Sequence, residues 1–222
     1  MTRDGEIVEF RSALEAAIAS FCVGPLSERQ YEQLTGHYKM LCAWNRRVNL
    51  TRIVEPAQAA RLHYAESIFG GQFVSGSPRT LDIGSGAGFP GVPLAIVKPE
   101  LQLTALESNH KKAVFLQEAV ARLNIANVSV ARARLEDFDW SGFELIVSRA
   151  LDRAEAVFRS IIERIKPPQA LMLYAAPSLL AVLRELMPAA YAVETHPIPL
   201  TENRFIGLFG QKARDADTTE SK

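Results

Sequence analysis

Hydrophobic residues in the first third of the chain recur every three or four positions, whereas further on they gather in short runs separated by such stripes. Ile7, Phe10, Leu14, Ile18 and Phe21 form one helical face, closed by Gly24 and Pro25. Ser27 and Gln30 have the spacing of a capping box, and Leu26 with Tyr31 that of a hydrophobic staple. Tyr31, Leu34, Tyr38, Leu41 and Trp44 continue a second face, whose aromatics read as core. Asn45 and Asn49 break the pattern in NRRVNLTRI, as turn residues do, and Pro56 opens a third helix through Arg61, His63, Tyr64 and Ile68.

After the SGSP stretch at 75–78 the period changes. Apolar runs predict strands over 80–83, 101–106, 128–131, 145–147 and 171–174. Helices are expected after Phe89 and over 111–123, 153–165 and 178–187. Crossovers of that length imply parallel strands in a doubly wound α/β sheet. YAVETHPI and RFIGLFG are too close in sequence for a crossover helix, so they should pair antiparallel. The pattern divides the chain into a helical extension (1–75), an α/β domain (76–212) and a polar tail (213–222).

The 25 Lys and Arg residues balance the 25 Asp and Glu residues, so any contact with nucleic acid has to come from local clustering. Arg46, Arg47 and Arg52 form one such cluster in a short turn, which also reads as a solvated connection. Cys22 and Cys42 form no ligand pair, and no apolar run is long enough to span a membrane. The amino terminus lacks an apolar signal core, so a cytoplasmic protein is expected.

The candidate chemistry centres on RTLDIGSGAGFPG at 79–91, where a buried strand ends at Asp82 and the chain turns through Gly84, Gly86, Gly88 and Gly91. Glycines adopt positive φ and leave room for a ligand against bare backbone. Two ligands fit the spacing. Gly86, Gly88 and Gly91 match the dinucleotide fingerprint G-x-G-x-x-G. Gly84, Gly86 and Gly88 match the G-x-G-x-G loop of S-adenosylmethionine methyltransferases, with Asp82 two places before the first glycine. Glu107, closing LQLTALE, would accept ribose hydroxyls in either case. Pro90 and Pro93 remove N–H donors that a pyrophosphate would use, which favours S-adenosylmethionine.

LDIGSGAGFPGVPLAIVKPE, LESNHKKAVFLQEAV, ARLEDF and LIVSRAL, preceded by WNRRVNLTRI, resemble in order the bacterial small-subunit ribosomal RNA guanine-N7 methyltransferase family called RsmG or GidB. The resemblance runs over about 26–212. It implies a Rossmann-like class I S-adenosylmethionine-dependent methyltransferase fold, with seven mostly parallel strands and an antiparallel last strand. It further implies methyl transfer to guanine N7 of 16S ribosomal RNA, with the RNA or the small subunit as partner, no membrane and a monomeric enzyme. Carried over residue by residue, the resemblance makes Asp82, Gly84, Gly86, Gly88, Phe89, Glu107, Leu135, Glu136 and Arg149 cofactor contacts. Arg149, at the end of the fourth strand, is the candidate catalytic residue. Arg46, Arg47, Arg52 and Arg153 are the candidate RNA contacts, and no metal is expected. Two departures stand out. The family's H-x-x-D-S has Glu66 in the aspartate place, and the lysine and glycine common after the fifth strand are replaced by Tyr174-Ala175-Ala176-Pro177.

The remaining chemistry is narrowed by absence. Ser148-Arg149-Ala150 is not the Asn or Asp with Pro-Pro and an aromatic that commonly serves exocyclic amines in this fold. Both cysteines lie upstream of the strand edge, away from where C5 methylation needs a nucleophile. A guanine N7 lone pair needs no base, only placement, though the choice of N7 comes from the resemblance. A methyltransferase acting on a small molecule or protein is the alternative, and a nucleotide-binding protein without activity is a third reading.

Overall fold

The structure is a computed structural model that describes residues 4–149 and 154–211; Arg153 and the expected tail at 213–222 lie outside the described residues. Helix α1 (Asp4–Ser20) buries Phe10, Leu14 and Ile18, the face its spacing predicts. Helix α2 (Glu28–Asn45) starts at the capping box: Ser27 Oγ accepts the Gln30 N–H, and the Gln30 side chain accepts the Ser27 N–H. Tyr38 stacks on Phe10 with centroids 4.2 Å apart, and both rings are buried beyond the reach of a nucleobase.

The turn after α2 is tied by one side chain. Asn45 Oδ1 accepts the Leu50 and Thr51 N–H groups, while its Nδ2 donates to the Thr51 carbonyl. Glu55 then caps α3 (Pro56–Ala59), with Pro56 in the first turn. The helix widens into a π-helical segment (Ala60–Ala65), returns to α geometry in α4 (Glu66–Phe69) and tightens to a 3₁₀ turn (Gly70–Phe73). Sequence periodicity predicts this helix but not its change of pitch, because every residue from His63 to Ile68 is buried, polar and apolar alike, and no single face marks the register.

Strands β1 (Arg79–Ile83), β2 (Gln102–Leu106), β3 (Val128–Ala131), β4 (Leu145–Arg149), β5 (Ala170–Ala175), β6 (Tyr191–Pro197) and β7 (Phe205–Gln211) form one sheet in the order β3-β2-β1-β4-β5-β7-β6. The first five are parallel, and β7 inserts antiparallel between β5 and β6. The crossovers carry α5 (Gly91–Val97), α6 (His110–Arg122), α7 (Ala154–Arg164) and α8 (Pro177–Leu186). The chain builds outward from β1 through β2 to β3 and then returns to place β4 on the other side of β1, which opens a crevice at the carboxyl ends of β1 and β4.

Two cores flank the sheet. One joins Leu81, Ile146, Phe158, Leu171, Leu180 and Phe209 beneath α7 and α8. The other runs from Phe10, Leu34 and Tyr64 of the amino-terminal helices into Leu94, Phe115, Val147 and Tyr174. The extension is thus packed on the α5 and α6 face, and Tyr174 Oη on β5 donates to the Ser67 carbonyl. Among the described residues no helix is long and apolar enough to cross a membrane.

Candidate active site

Asp82 is fully buried at the end of β1, beneath the start of α5. Its Oδ2 accepts from Ser85 Oγ at 2.7 Å and from the Gly91 N–H at 3.1 Å, while Oδ1 has no partner. Burial pushes the carboxyl up to about 6, against the pull of the Ser85 and Gly91 donors and of Arg149. The place at the start of α5 where a pyrophosphate would sit is therefore filled by the protein's own carboxylate.

Glu107 directly follows β2 and is also buried. One oxygen accepts the Gly86 N–H at 2.9 Å and the other the Asn109 N–H at 2.7 Å, so the carboxylate ties the glycine loop to the start of α6. Gly84, Gly86 and Gly88 all have positive φ. A Cβ on Gly86 would find no atom nearer than the Gly84 carbonyl at 3.7 Å, leaving open space on that side. Gly91 is different. A Cβ there would lie 2.5 Å from Asp82 Oδ2 and 2.9 Å from Leu103, so this glycine lets α5 close on the strand.

Phe89 is buried where three elements meet. It stacks on His63 with centroids 4.6 Å apart, takes the edge of His37 at 5.5 Å, and lies 4.9 Å beneath the Arg149 guanidinium. Arg149 Nη1 donates to the Leu62 carbonyl at 3.0 Å and Nη2 to His63 Nδ1 at 2.9 Å. Across the π segment the Glu66 N–H bonds to the Arg61 and His63 carbonyls and not to that of Leu62. His63 Nδ1 accepts from Arg149, so Nε2 carries the proton and faces Thr51 Oγ1 at 2.8 Å. Burial and the Arg149 charge depress His63 to about 3, so the ring is neutral.

Glu66 has no exposed surface, and its Oε2 lies 2.7 Å from Arg204 Nη2, although neither carboxylate oxygen accepts an aligned hydrogen bond. Burial pushes its carboxyl up to about 7, against the pull of Arg204, Arg149 and Arg61. Arg204 comes from the connection before β7 and immediately precedes Phe205, which registers with Ala175 at the end of β5. It thus delivers a cation to the strand end where the sequence has none.

The structure brings together Asp82, the glycine loop, Phe89, Glu107 and Arg149. Leu135 packs with Ile83 and Leu106 near the same strand ends, and Glu136 beside it is exposed. Arg46 and Arg47 are exposed beside Trp44, His110 and Lys111, and Arg52 is exposed outside that group. Two residues with a place here were not signalled. His37 on α2 is fully buried, with Nδ1 2.7 Å from Tyr64 Oη and Nε2 aimed at the glycine loop. Only its position on the apolar face of α2 could have suggested a role. Arg204 offers no local sign at all. Among the described residues no group of three His, Cys, Asp or Glu side chains could hold a metal ion.

The sequence also has relatives among known proteins. The sequence model described as rRNA small subunit methyltransferase G matches residues 30–195. Proteins named ribosomal RNA small subunit methyltransferase G are similar to the chain: that of Solibacter usitatus is 49% identical over 102 residues, 46% of this chain and 49% of the relative. That of Methylococcus capsulatus is 43% identical over 122 residues, covering 54% and 59%. That of Levilactobacillus brevis is 36% identical over 168 residues, covering 71% and 67%. The matched stretches thus span about half to two thirds of these relatives' length. Among solved structures, a methyltransferase from Pyrococcus furiosus superposes with a TM-score of 0.56 at 18% identity, covering 81% of this chain and 98% of that one. A SAM-dependent methyltransferase from Aquifex aeolicus gives 0.54 at 15% identity, covering 70% and 92%. These two share the fold. By the match over 30–195, the chain belongs to the rRNA small subunit methyltransferase G family.

Proposed function

We propose that the protein transfers a methyl group from S-adenosylmethionine to guanine N7 of 16S ribosomal RNA, acting as a cytoplasmic monomer. The observation that carries the choice of cofactor is Asp82. Its carboxylate takes the Gly91 amide at the start of α5 and the Ser85 hydroxyl, occupying the place a pyrophosphate would need, which suits the phosphate-free S-adenosylmethionine. The open side of Gly86 fits the same ligand. In this reading Gly84, Gly86 and Gly88 face the amino-acid end, Glu107 the ribose, and Leu135 and Glu136 the adenine. The chemistry that bound S-adenosylmethionine supplies is an electrophilic methyl group on a sulfonium.

The residues around the crevice then position a nucleophile rather than deprotonate one. His63 is neutral with both ring nitrogens engaged, and Glu66 is buried against Arg204. N7 of guanine carries a lone pair and needs no base, so alignment supplies the acceleration, which for well-oriented reactants reaches roughly 7 to 11 kcal/mol. Among the described residues Arg149 gives two N–H donors, to Leu62 and His63, and its guanidinium is proposed to meet a guanine carbonyl or a phosphate. Arg46, Arg47, Arg52 and Arg153 are proposed to meet RNA phosphates.

The test uses the full chain with radiolabelled S-adenosylmethionine and small-subunit RNA, protein and metabolite fractions from a strain lacking the enzyme. Label should enter the RNA, at a guanine that gives strand scission after borohydride and aniline. Label in protein or metabolites alone would replace this reading with the alternative one.

A further inference from the structure

We infer that the groove between the carboxyl end of α2 and the first turn of α6 seats an unpaired RNA segment beside the cofactor crevice, Trp44 stacking a base and Arg47 and Lys111 meeting its phosphates. The inference rests on the RNA reading above and extends it to an aromatic and a second helix that the turn arginines do not include. The groove encloses about 650 Å³. Trp44, Arg46, Arg47 and Val48 line one wall and His110 and Lys111 the other, with no acidic residue among its lining.

Three features point to a nucleic acid strand. Trp44 is half-buried: its ring packs edgewise on Phe115 at 5.8 Å and the rest of it lines the groove, an apolar surface a base could cover. The first turn of α6 has no acid and instead carries His110, Lys111 and Lys112 at the positive end of the helix, the reverse of what helix stability favours. Arg132 extends the basic rim, with its guanidinium 3.4 Å from His110 Nδ1. The groove also lies in the right place. Asn109, which caps α6, gives its own N–H to Glu107, so the wall bearing His110 and Lys111 starts at the proposed ribose carboxylate. A paired helix hides its base faces, so a surface that stacks a base suits a loop or a bulge.

The test combines tryptophan fluorescence with methyl transfer, on the full chain. The chain has two tryptophans, and Trp140 is 2% exposed, so quenching by a short oligouridylate reports Trp44. Oligouridylate should quench saturably. For variants that lack this reporter, binding is read from the anisotropy of a fluorescein-labelled oligouridylate: Trp44→Leu should weaken it about tenfold and Trp44→Phe less. Arg47→Gln with Lys111→Gln should lower the slope of log affinity against log salt by about 1.4, two single-strand phosphate contacts' worth. Affinity for S-adenosylhomocysteine should hold in each variant, which verifies the fold. Unchanged oligouridylate affinity and salt slope in these variants, with RNA still methylated by the wild type, would overturn the groove and leave the activity standing. Trp44-dependent quenching by polyglutamate in place of oligouridylate would overturn it in favour of a protein surface. Trp44-dependent RNA binding with no methyl transfer to RNA would uphold the groove and sink the activity.

Discussion

Arg149 Nη2 donates to Nδ1 of His63 at 2.9 Å, a bond that joins β4 to the π-helical segment of the amino-terminal extension. The same guanidinium donates to the Leu62 carbonyl within that segment. Thr51 holds the other face of the histidine, and Asn45 holds the turn that presents Thr51. Asn45 and Thr51 are thus linked to Arg149 through His63 and not by direct contact.

His63→Ala should lower turnover about tenfold to a hundredfold by releasing Arg149, since misplacing a catalytic group by an ångström costs that much. Affinity for S-adenosylhomocysteine should change less. Arg149→Lys should not rescue, because an ammonium cannot span the Leu62 carbonyl and His63 as the planar fork does. Calorimetry with S-adenosylhomocysteine and single-turnover methyl transfer separate the two effects. Equal losses in affinity and turnover for His63→Ala would count against a positioning role.

The glycines of the loop should divide by their surroundings. Gly86 has φ near +58° and open space beyond it, so Gly86→Ala should cost about 1 to 2 kcal/mol of stability and lose most cofactor affinity. Gly91→Ala should cost about 3 kcal/mol or more, because its methyl group would press on Asp82 and Leu103. Urea denaturation read beside calorimetry decides this. A stable Gly91→Ala protein would show that α5 can move off the strand.

Much of this was legible in the sequence. Strands buried on both faces give unbroken apolar runs, so β1 to β5 and the closing antiparallel pair could be read from 80–83 through RFIGLFG. Asp82 and the glycine loop are contiguous and carry their own sign. Contacts made across the chain leave none: His37 is some fifty residues before the loop it faces, and Arg204 lies far beyond the Glu66 it meets. Trp44 read as core because it continues the face of α2, yet only part of it is covered, by Phe115. The π segment is silent for a related reason, since the residues from His63 to Ile68 are buried on every side and leave no apolar stripe to read.

Buried titrating groups here pull in opposite directions with pH. Glu66 is raised from 4.5 to about 7 and Asp82 from 3.8 to about 6, so what they contribute is complete below those lower values and is lost as pH rises through the higher ones. His37, lowered by burial from 6.5 to about 4, and His63, lowered to about 3, contribute fully above 6.5 and lose that contribution as pH falls. Glu66→Gln removes one of the terms that decline with pH. Its stability relative to the wild type should therefore climb between about pH 5 and pH 8, as read from urea midpoints. A difference that stays constant over that range would mean Glu66 is ionised throughout.

Arg204 should matter for turnover more than for cofactor binding. It stands beside the end of β5, where Tyr174, Ala175, Ala176 and Pro177 supply no cation, and its side chain remains about a third exposed while it holds Glu66. Arg204→Ala leaves Glu66 buried without its ion-pair partner, a loss that typically costs about 3 to 5 kcal/mol unless the carboxyl takes up a proton. With Glu66 already raised to about 7, protonation is within reach, so the loss of stability should be small near pH 6 and grow toward pH 8. Combining Arg204→Ala with Glu66→Gln should restore stability at pH 8, because no buried charge is left unmatched. Turnover on RNA should stay low in the double variant, since the cation at the substrate side is still missing. Recovery of turnover together with stability would instead make Arg204 a partner for Glu66 alone, and the chain would then do its chemistry with Arg149 as the cation at that edge.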